Sequence, residues 1–538
     1  MKKIILPKKA VVYKNVENIE NLFIEKPMQI GLNEPKLTHI EQGGFVVLDF
    51  GKEICGNFRL LVHVGEGERK ARIVYGESVA EAMSRIGEKG ATNDHNVRDY
   101  EYFIPDYSDT TFTNSGFRFV MVENVGDTVL NIKNAVVTPT VYDKPYKGKF
   151  VCDDKQINKI FSTAAWTLRL CLQNGMIWDG IKRDRLVWIG DINPETLASN
   201  CLFGSMPNVE NSLAFNKEQS PLPLWMNNFP TYSLWWIVNL RDYYLQNENH
   251  AYLVEQKDYL KGLVKQIANC VKDNGETDFG FIFIDWPTHY TEGDPDLDKR
   301  YDEIAGTHAL TVYALKCAKE LFAILGEDES FVDGVLAKLA KTEYRVKKYK
   351  QVAGLKIISG MGDEKDARLI VNGGAKGMST FMSYFILKGA TKFGFVDESL
   401  DMLKDYYGAM LALGATSFWE DFDIAWVENA GRIDKKPTKG KKDVHGDYGA
   451  FCYKGFRHSF CHGWASGVVP YLMNVVAGIE IVKPGCAEIR IKPNLGYLNS
   501  VKVDYPTPFG ILKVEHSKNA DGSITTKTVA PSGVKIVD

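Results

Sequence analysis

Residues 179–191 read DGIKRDRLVWIGD. This short stretch gathers the carboxylates of Asp179, Asp184 and Asp191, the guanidiniums of Arg183 and Arg185, and the indole of Trp188. Gly180 and Gly190 bracket it, so it reads as a shaped loop rather than the interior of a helix or strand. Such a loop suits a sugar: aromatic faces stack on the apolar faces of pyranoses, carboxylates bind hydroxyls, and an acid pair can cleave an acetal. An Asp/Arg ion-pair cluster capping a helix has the same composition, so the rest of the chain must separate the two.

At 538 residues the chain exceeds the roughly 250–300 at which a single core stops growing. Hydrophobic content of 45% and charged content of 25% are those of a soluble globular protein. A net charge of −3 gives no electrostatic case for nucleic acid or an anionic membrane as partner. The opening MKKIILPKKAVVYKN lacks an apolar run of signal-peptide length, and no stretch approaches the ~18–20 apolar residues of a membrane span. Nine scattered cysteines without a CxxC pair read as free thiols in a reducing compartment, so a cytoplasmic location is expected.

Up to about residue 148 the pattern is of strands, at Phe45–Phe50, Phe58–Val64, Ala71–Tyr75 and Phe117–Val122, separated by Gly, Asp and Ser turns. That spacing predicts an antiparallel sandwich. Over 149–478 the period becomes helical. Leu260, Leu263, Val264, Ile267 and Val271 form one stripe, stopped by Gly275. A second helix runs through Ala309, Val312, Leu315 and Leu321 to Gly326. So long a helical block is a solenoid or a closed toroid, and the lack of a fixed-length repeat disfavours the solenoid. From 479 to 538 strands return at Ile489–Lys492, Val501–Val503 and Ile511–Glu515, with Pro-Gly turn chemistry between them.

Cleaving a glycoside needs a second carboxyl group from elsewhere in the chain, facing the first across the sugar. Glu420, at the end of Gly414-Ala-Thr-Ser-Phe-Trp-Glu420, is the best candidate; alone it could be a surface helix-end acid. His462 lies between Cys461 and Gly463-Trp464, and Asp285 and Trp286 lie in Phe283-Ile-Asp-Trp-Pro287. Trp235 and Trp236 follow Ser233-Leu234, and either could equally be core. Glu195, just after Pro194, fits the first turn of a helix. The lysine-rich run 434–443 has no interleaved aromatics and reads as a solvated loop. No P-loop, HExxH or Gly-x-Ser-x-Gly elbow is present. His458 and His462, four apart, would share a helix face, but they lack partners for a structural zinc. No metal and no cofactor are expected.

The loop 179–191 resembles the signature of glycoside hydrolase family 78, the inverting α-L-rhamnosidases. That signature runs Asp, then Arg with an acid, a second Arg, and Trp-x-Gly-Asp. Asp179, Arg183, Asp184, Arg185, Trp188, Gly190 and Asp191 fill it, with Asp184 standing where many members carry Glu. Residues 414–420 are similar to the family's Gly-Ala-Thr-Thr-x-Trp-Glu run, which implies that Glu420 is the catalytic base. Residues 459–462 are similar to its Ser-x-Cys-His, which implies that His462 binds a rhamnose hydroxyl. Trp286 matches a substrate-stacking indole, and Trp235 or Trp236 does so more weakly. LDFGKEICGNFRL, VYGES and SGFRFVMVE resemble the β-domain ahead of the family's catalytic domain. The run IKPNLGYLNSVKVDYPTPFG resembles its C-terminal pattern.

The resemblance spans nearly the whole chain. It implies a multidomain α and β fold: a β-sandwich over 1–148, an (α/α)6 toroid over 149–478 and a small β-domain over 479–538. The implied activity is exo-acting, inverting hydrolysis that releases terminal α-L-rhamnose from a small rhamnoside or an oligosaccharide. Asp184 would be the general acid. Asp179, Arg183, Trp188, Asp191, Trp235, Trp236, Asp285, Trp286 and His462 would bind substrate. The alternatives are a six-hairpin glycosidase of other sugar specificity and a non-catalytic sugar-binding relative, the latter motivated by Asp184. Assembly into a homodimer is left open. An arginine facing Asp184 would lower its pKa, so Arg183 and Arg185 are expected to turn away onto Asp179 and Asp191.

Overall fold

The computed structural model describes residues 4–538. The N-terminal strands are β1 (Lys9–Glu17), β2 (Thr38–Val62), β3 (Lys70–Gly76), β4 (Asp99–Phe103), β5 (Ser108–Asn124) and β6 (Leu130–Pro139). They join in the order β1-β2-β5-β3-β4, with β6 also on β2. The runs expected as separate strands at 45–50 and 58–64 are one long strand. Gly51, at φ 89°, and a register break between Asp49 and Ile54 bend β2 instead of ending it. Its first half pairs with β1 and its second with β6, while β5 follows both. The sheet thereby closes over Phe50, Phe58, Leu60, Ile73 and Phe117. In each stretch where β6 meets β2 the partners fall as the β2 residues rise, from Thr38 with Ile132 to Ile40 with Leu130 and from Gly56 with Pro139 to Leu61 with Asn134, so this pairing is antiparallel like the rest of the sheet. On the opposite face Val47, Val74, Phe119 and Met121 are covered by Val79 and Ala82 of the short helix α1 (Val79–Ala82).

The helical block comprises α2 (Lys155–Cys171), α3 (Ile192–Phe203), α4 (Pro207–Gln219), α5 (Pro230–Asn247), α6 (His250–Asn269) and α7 (Leu297–Leu325). It continues through α8 (Ser330–Leu339), α9 (Lys350–Ile358), α10 (Glu364–Val371), α11 (Ser383–Lys392) and α12 (Val396–Ala412). Local chemistry sets the ends: Asp154 caps α2 by accepting from the Gln156 and Ile157 amides, and Gly326 ends α7 in the left-handed region. The stripe of α6 is buried as its spacing predicts, but the helix stops at Asn269. Val271 instead forms a bridge with Thr277 across a turn at Gly275, so the apolar period ran past the helix end. Alternate helices touch: α3 packs on α5, α5 on α7, α7 on α9 and α9 on α11, and residues 463–476 lie against both α3 and α11. Among the described residues no helix is long and apolar enough to cross a membrane.

At the C-terminus β8 (Ile479–Lys483) and β9 (Glu488–Ile491) pair with each other, and β10 (Ser500–Thr507) and β11 (Gly510–Lys518) form a hairpin. Strand β7 (Lys149–Cys152) pairs antiparallel with β10. The segment that opens the helical block in sequence thus belongs by pairing to the C-terminal sheet.

Buried charge joins the N-terminal sheet to the helical block. Arg118 holds both oxygens of Asp49, at 2.9 and 3.0 Å, and donates to the Gly414 carbonyl at 3.0 Å. Lys182, 1% exposed, lies 2.9 Å from Glu77 and 3.0 Å from Glu81. Its ammonium also donates to the Phe456 carbonyl at 2.9 Å and to that of His458. Removing one member of such a cluster strands the others as uncompensated buried charge. We expect Lys182→Met to lower unfolding free energy by about 3–5 kcal/mol, read by urea denaturation. A loss below about 1 kcal/mol would show that the seam is held by apolar contact alone.

Candidate active site

Three loops from distant parts of the chain meet where the N-terminal sheet touches the helices. Loop 178–191 closes on itself through Asp179: its amide donates to the Leu186 carbonyl at 3.0 Å and its Oδ1 accepts the Leu186 amide at 2.9 Å. The Gly463 amide donates to the Asp179 carbonyl at 2.7 Å, and Gly180 bridges to His462. The Glu420 amide donates to Ser459 O at 2.9 Å, and the His462 amide to Phe418 O at 3.0 Å. The bracketing glycines answer to sterics: a Cβ at Gly190 would stand 2.5 Å from the Tyr232 ring, and one at Gly180 3.2 Å from the Cys461 carbonyl.

Asp184 and Arg185 are both left-handed, with φ of 55° and 57°. Such a conformation costs about 1–3 kcal/mol per residue and persists only where neighbours over-determine it. Here the Arg185 guanidinium donates to the Asn114 backbone carbonyl and side-chain oxygen, each at 3.0 Å, and lies over Trp178. The Gly116 amide donates to Ile181 O at 3.0 Å, so strand β5 holds the base of the loop.

The arginines do not bind Asp179 and Asp191 as expected. Arg183 is buried and donates from one terminal nitrogen to Asp184 at 3.0 Å and from the other to Glu420. A guanidinium is a rigid fork that can hold two carboxylates at once, whereas Asp179 already has a backbone partner and Asp191 has Tyr232. Burial works against the charge on Arg183, but Glu420 and Asp184 outweigh it and raise its pKa further. Glu420, 4% exposed, also accepts the Ser459 amide at 3.3 Å, and its carbonyl accepts the Trp464 indole N–H at 2.9 Å.

Around this fork lies a group of buried acids. Burial, then the charges of Asp184 and Asp191, push the Asp179 carboxyl well above the usual range. Burial does the same for Asp191, although the Tyr232 hydroxyl donates to it at 2.6 Å. The His462 Nε2 stands 3.7 Å from Asp179, 3.8 Å from Asp191 and 3.9 Å from Glu420. Burial, then the charge of Arg183, hold that imidazole well below its ordinary pKa, so it is neutral. His458 and His462 share no helix face; they flank an extended segment in which His458 Nε2 accepts the Asp421 amide at 2.9 Å.

Asp285 is buried, caps a short turn by accepting the Trp286 amide at 2.8 Å, and accepts the Ser379 hydroxyl. Trp286 stacks on Phe451 with centroids 5.4 Å apart. It touches Phe283, which meets Phe229 and Tyr232, and those two rings meet Trp188. Trp188 and Trp286 are therefore ends of one aromatic chain. Trp235 and Trp236 are not part of it. Trp236 is buried between helices, donating its indole N–H to Leu213 O at 3.1 Å, and Trp235 packs on Phe381 and Phe385. Both face the core because α5 is buried around nearly its whole circumference, polar positions included, which hides from the sequence which side meets a loop.

Sequence reasoning missed several neighbours. His95, from the N-terminal domain and 31% exposed, places Nε2 3.4 Å from Asp184. Its signal was a polar Thr-Asn-Asp-His-Asn run interrupting the strand pattern. Tyr232 and Asp421 are a second and third. Glu195 does sit in the first turn of α3, yet it is fully buried, and a Cβ at Gly463 would stand 2.1 Å from its carboxyl.

Residues 145–351 match the family described as bacterial alpha-L-rhamnosidase 6 hairpin glycosidase domain. An alpha-L-rhamnosidase of Alteromonas sp. (strain LOR) is 26% identical over 155 residues, 28% of this chain and 16% of that protein. The crystal structure of the GH78 family rhamnosidase of Bacillus sp. GL1 superposes with a TM-score of 0.74 at 18% identity, over 96% of this chain and 55% of that one. The Klebsiella oxytoca rhamnosidase with rhamnose bound gives 0.67 at 17% identity, over 88% of this chain and 95% of that one. The chain spans about half the length of the Bacillus enzyme, and the Alteromonas match about one-sixth of that protein. The protein has a GH78-like rhamnosidase fold, consistent across several solved structures at low identity.

Burial raises the Asp285 pKa from 3.8 to about 7. Between those values the folded protein keeps a proton that the unfolded chain releases. The group's contribution is therefore full below about pH 4 and declines as pH rises toward 7, by up to about 1.4 kcal/mol per unit. Asp285→Asn should flatten that decline when urea midpoints are compared at pH 5 and pH 7. An unchanged slope would mean that Asp285 is ionised throughout.

Proposed function

We propose that the protein is an exo-acting, inverting glycoside hydrolase that releases terminal α-L-rhamnose. The observation that carries this reading is the Arg183 fork, which holds Asp184 and Glu420 from separate loops at one point. Asp184 is the general acid and protonates the leaving oxygen; Glu420 is the base that activates water. Two ordinary hydrogen bonds and the width of a guanidinium put the bonded oxygens at most about 8 Å apart. That ceiling accommodates the lower half of the roughly 6.5–9.5 Å spacing of inverting enzymes.

In this reading the alternating helix contacts are those of an (α/α)6 toroid, with the three loops at its mouth. Asp179, Asp191 and His462 bind sugar hydroxyls, and Arg183 orients the acid and base. Trp286 and Trp188, through the aromatic chain between them, supply the apolar wall that a 6-deoxy sugar requires, while Asp285 fixes the Trp286 turn. His95 reaches Asp184 from the N-terminal domain, at 3.4 Å.

The other reading, a sugar-binding protein without turnover, draws on the shorter Asp184 side chain. Turnover of an aryl α-L-rhamnoside separates the two, and a panel of other aryl glycosides tests sugar preference. We expect the β-anomer of rhamnose to be released first in NMR; initial release of the α-anomer would overturn inversion. Asp184→Asn should lower kcat by about 10²–10⁴-fold. Wild-type turnover in that variant would remove Asp184 from its role. Trp286→Ala should raise KM more than it lowers kcat, because a stacking wall binds ground and transition states alike.

A further inference from the structure

The helices that bring residues to the candidate active site carry a second set of side chains at their other ends. Asp191 precedes α3, whereas Asn200 lies nine residues on, about 13 Å along the axis. Tyr232 is in the first turn of α5, and Arg241 and Asp242 lie toward its end. Ser383 opens α11, and Lys388 and Lys392 lie toward its end. These distal halves, with α7 and strands β8 and β10, enclose a cavity of about 460 Å³. That is within the roughly 300–1,000 Å³ of small-molecule sites, and none of its lining residues belongs to the candidate active site.

The lining mixes apolar and polar side chains about equally and carries excess positive charge. Its two acids are already paired: Asp242 with Arg241 at 2.9 Å and Glu480 with Arg490 at 3.1 Å. Lys388, Lys392 and Lys492 line it too, and among the described residues none of them has a carboxylate within ion-pair distance. The half-buried Lys388 ammonium meets only the Tyr384 hydroxyl, at 3.1 Å. Asn200, 4% exposed, donates to the Asp242 carbonyl at 3.2 Å, but its own side-chain oxygen is buried without a partner. An orphaned buried acceptor costs about 1–3 kcal/mol and calls for a donor that the protein itself does not supply. Tyr313 adds a further phenol to the wall.

We propose that this cavity is a second ligand site that takes a small polyhydroxylated anion, such as a uronic acid or a sugar phosphate. The anionic group seats on Lys388, with Lys392 and Lys492 at the mouth. The Tyr313 and Tyr384 phenols bind ligand hydroxyls, and the Asn200 oxygen accepts another once its amide turns into the cavity. Shared carriage by α3, α5 and α11 makes the site rigidly continuous with the catalytic end.

Isothermal titration of the full chain tests this, with D-glucuronate, D-glucose 6-phosphate, inorganic phosphate and D-glucose as separate titrants. We expect glucuronate or glucose 6-phosphate to bind, with phosphate alone and glucose each at least about tenfold weaker. Which of the two acids binds tells a carboxylate from a phosphate head. Lys388→Met should weaken binding about tenfold or more, and Lys492→Ala, at an exposed position, several-fold. Both variants should keep wild-type glycoside turnover. No binding of either anionic sugar up to roughly 10 mM would overturn the proposal. So would phosphate binding as tightly as glucose 6-phosphate, or binding that both substitutions leave unchanged. Absence of glycosidase turnover in the wild type would bear on the catalytic reading alone.

Discussion

A single guanidinium sets the geometry of the candidate site. Arg183 meets Asp184 on its own loop and Glu420 from a segment more than two hundred residues away, so both acids are aimed by one planar group. Each alternative is worse. Without the arginine, Glu420 would be a buried charge with only a 3.3 Å amide contact to offset the loss of water. With a lysine, a point charge would replace the fork and the two carboxylates would no longer be fixed relative to each other.

The fork works because its neighbours in sequence point elsewhere. Lys182 goes to Glu77 and Glu81 of the N-terminal domain, Arg185 goes to Asn114 on β5, and the Ile181 carbonyl takes the Gly116 amide. Ile181, Lys182 and Arg185 are thus tied to the N-terminal domain while Arg183, between them, reaches the helical block, and the chain turns through two consecutive left-handed residues there. The strain at Asp184 and Arg185 is sustained by ion pairs and hydrogen bonds whose other halves lie in the β-domain. That domain is therefore part of the site's construction, and the approach of His95 to Asp184 follows from the same docking.

What the sequence revealed and what it hid follow from the range of the forces involved. Helix α7 and its Gly326 stop, the α6 stripe and the C-terminal strands were legible because their signals are local. The three segments of the site were legible as motifs, and backbone hydrogen bonds bring them together. The target of Arg183 was not, because it depends on which of several buried acids already has a partner. The pairing of Lys149–Cys152 with Ser500–Thr507 was hidden for a similar reason, since four residues of alternating pattern cannot name a partner 350 residues away. Trp235 and Trp236 are adjacent on a helix buried on all sides, so no periodicity assigns either one a face.

The buried acids raise a question of charge balance that bears on recognition. Asp179, Asp191 and Glu195 together would place three negative charges in a space whose nearest cation, Arg183, is already shared between Asp184 and Glu420. The N-terminal end of α3 favours a negative Asp191 by at most about 2 kcal/mol, whereas burying an unpaired carboxylate costs several. Desolvation wins, and the raised pKa values follow. A neutral carboxyl both donates and accepts a hydrogen bond, as a sugar hydroxyl does, so the two can pair without leaving a lone pair or a proton unmet. A neutral His462 has the same dual character. In the proposed reaction a pocket lined this way takes a neutral polyol without importing a counter-ion, and leaves Asp184 to give its proton to the leaving oxygen while Glu420, held by Arg183, faces the developing oxocarbenium charge.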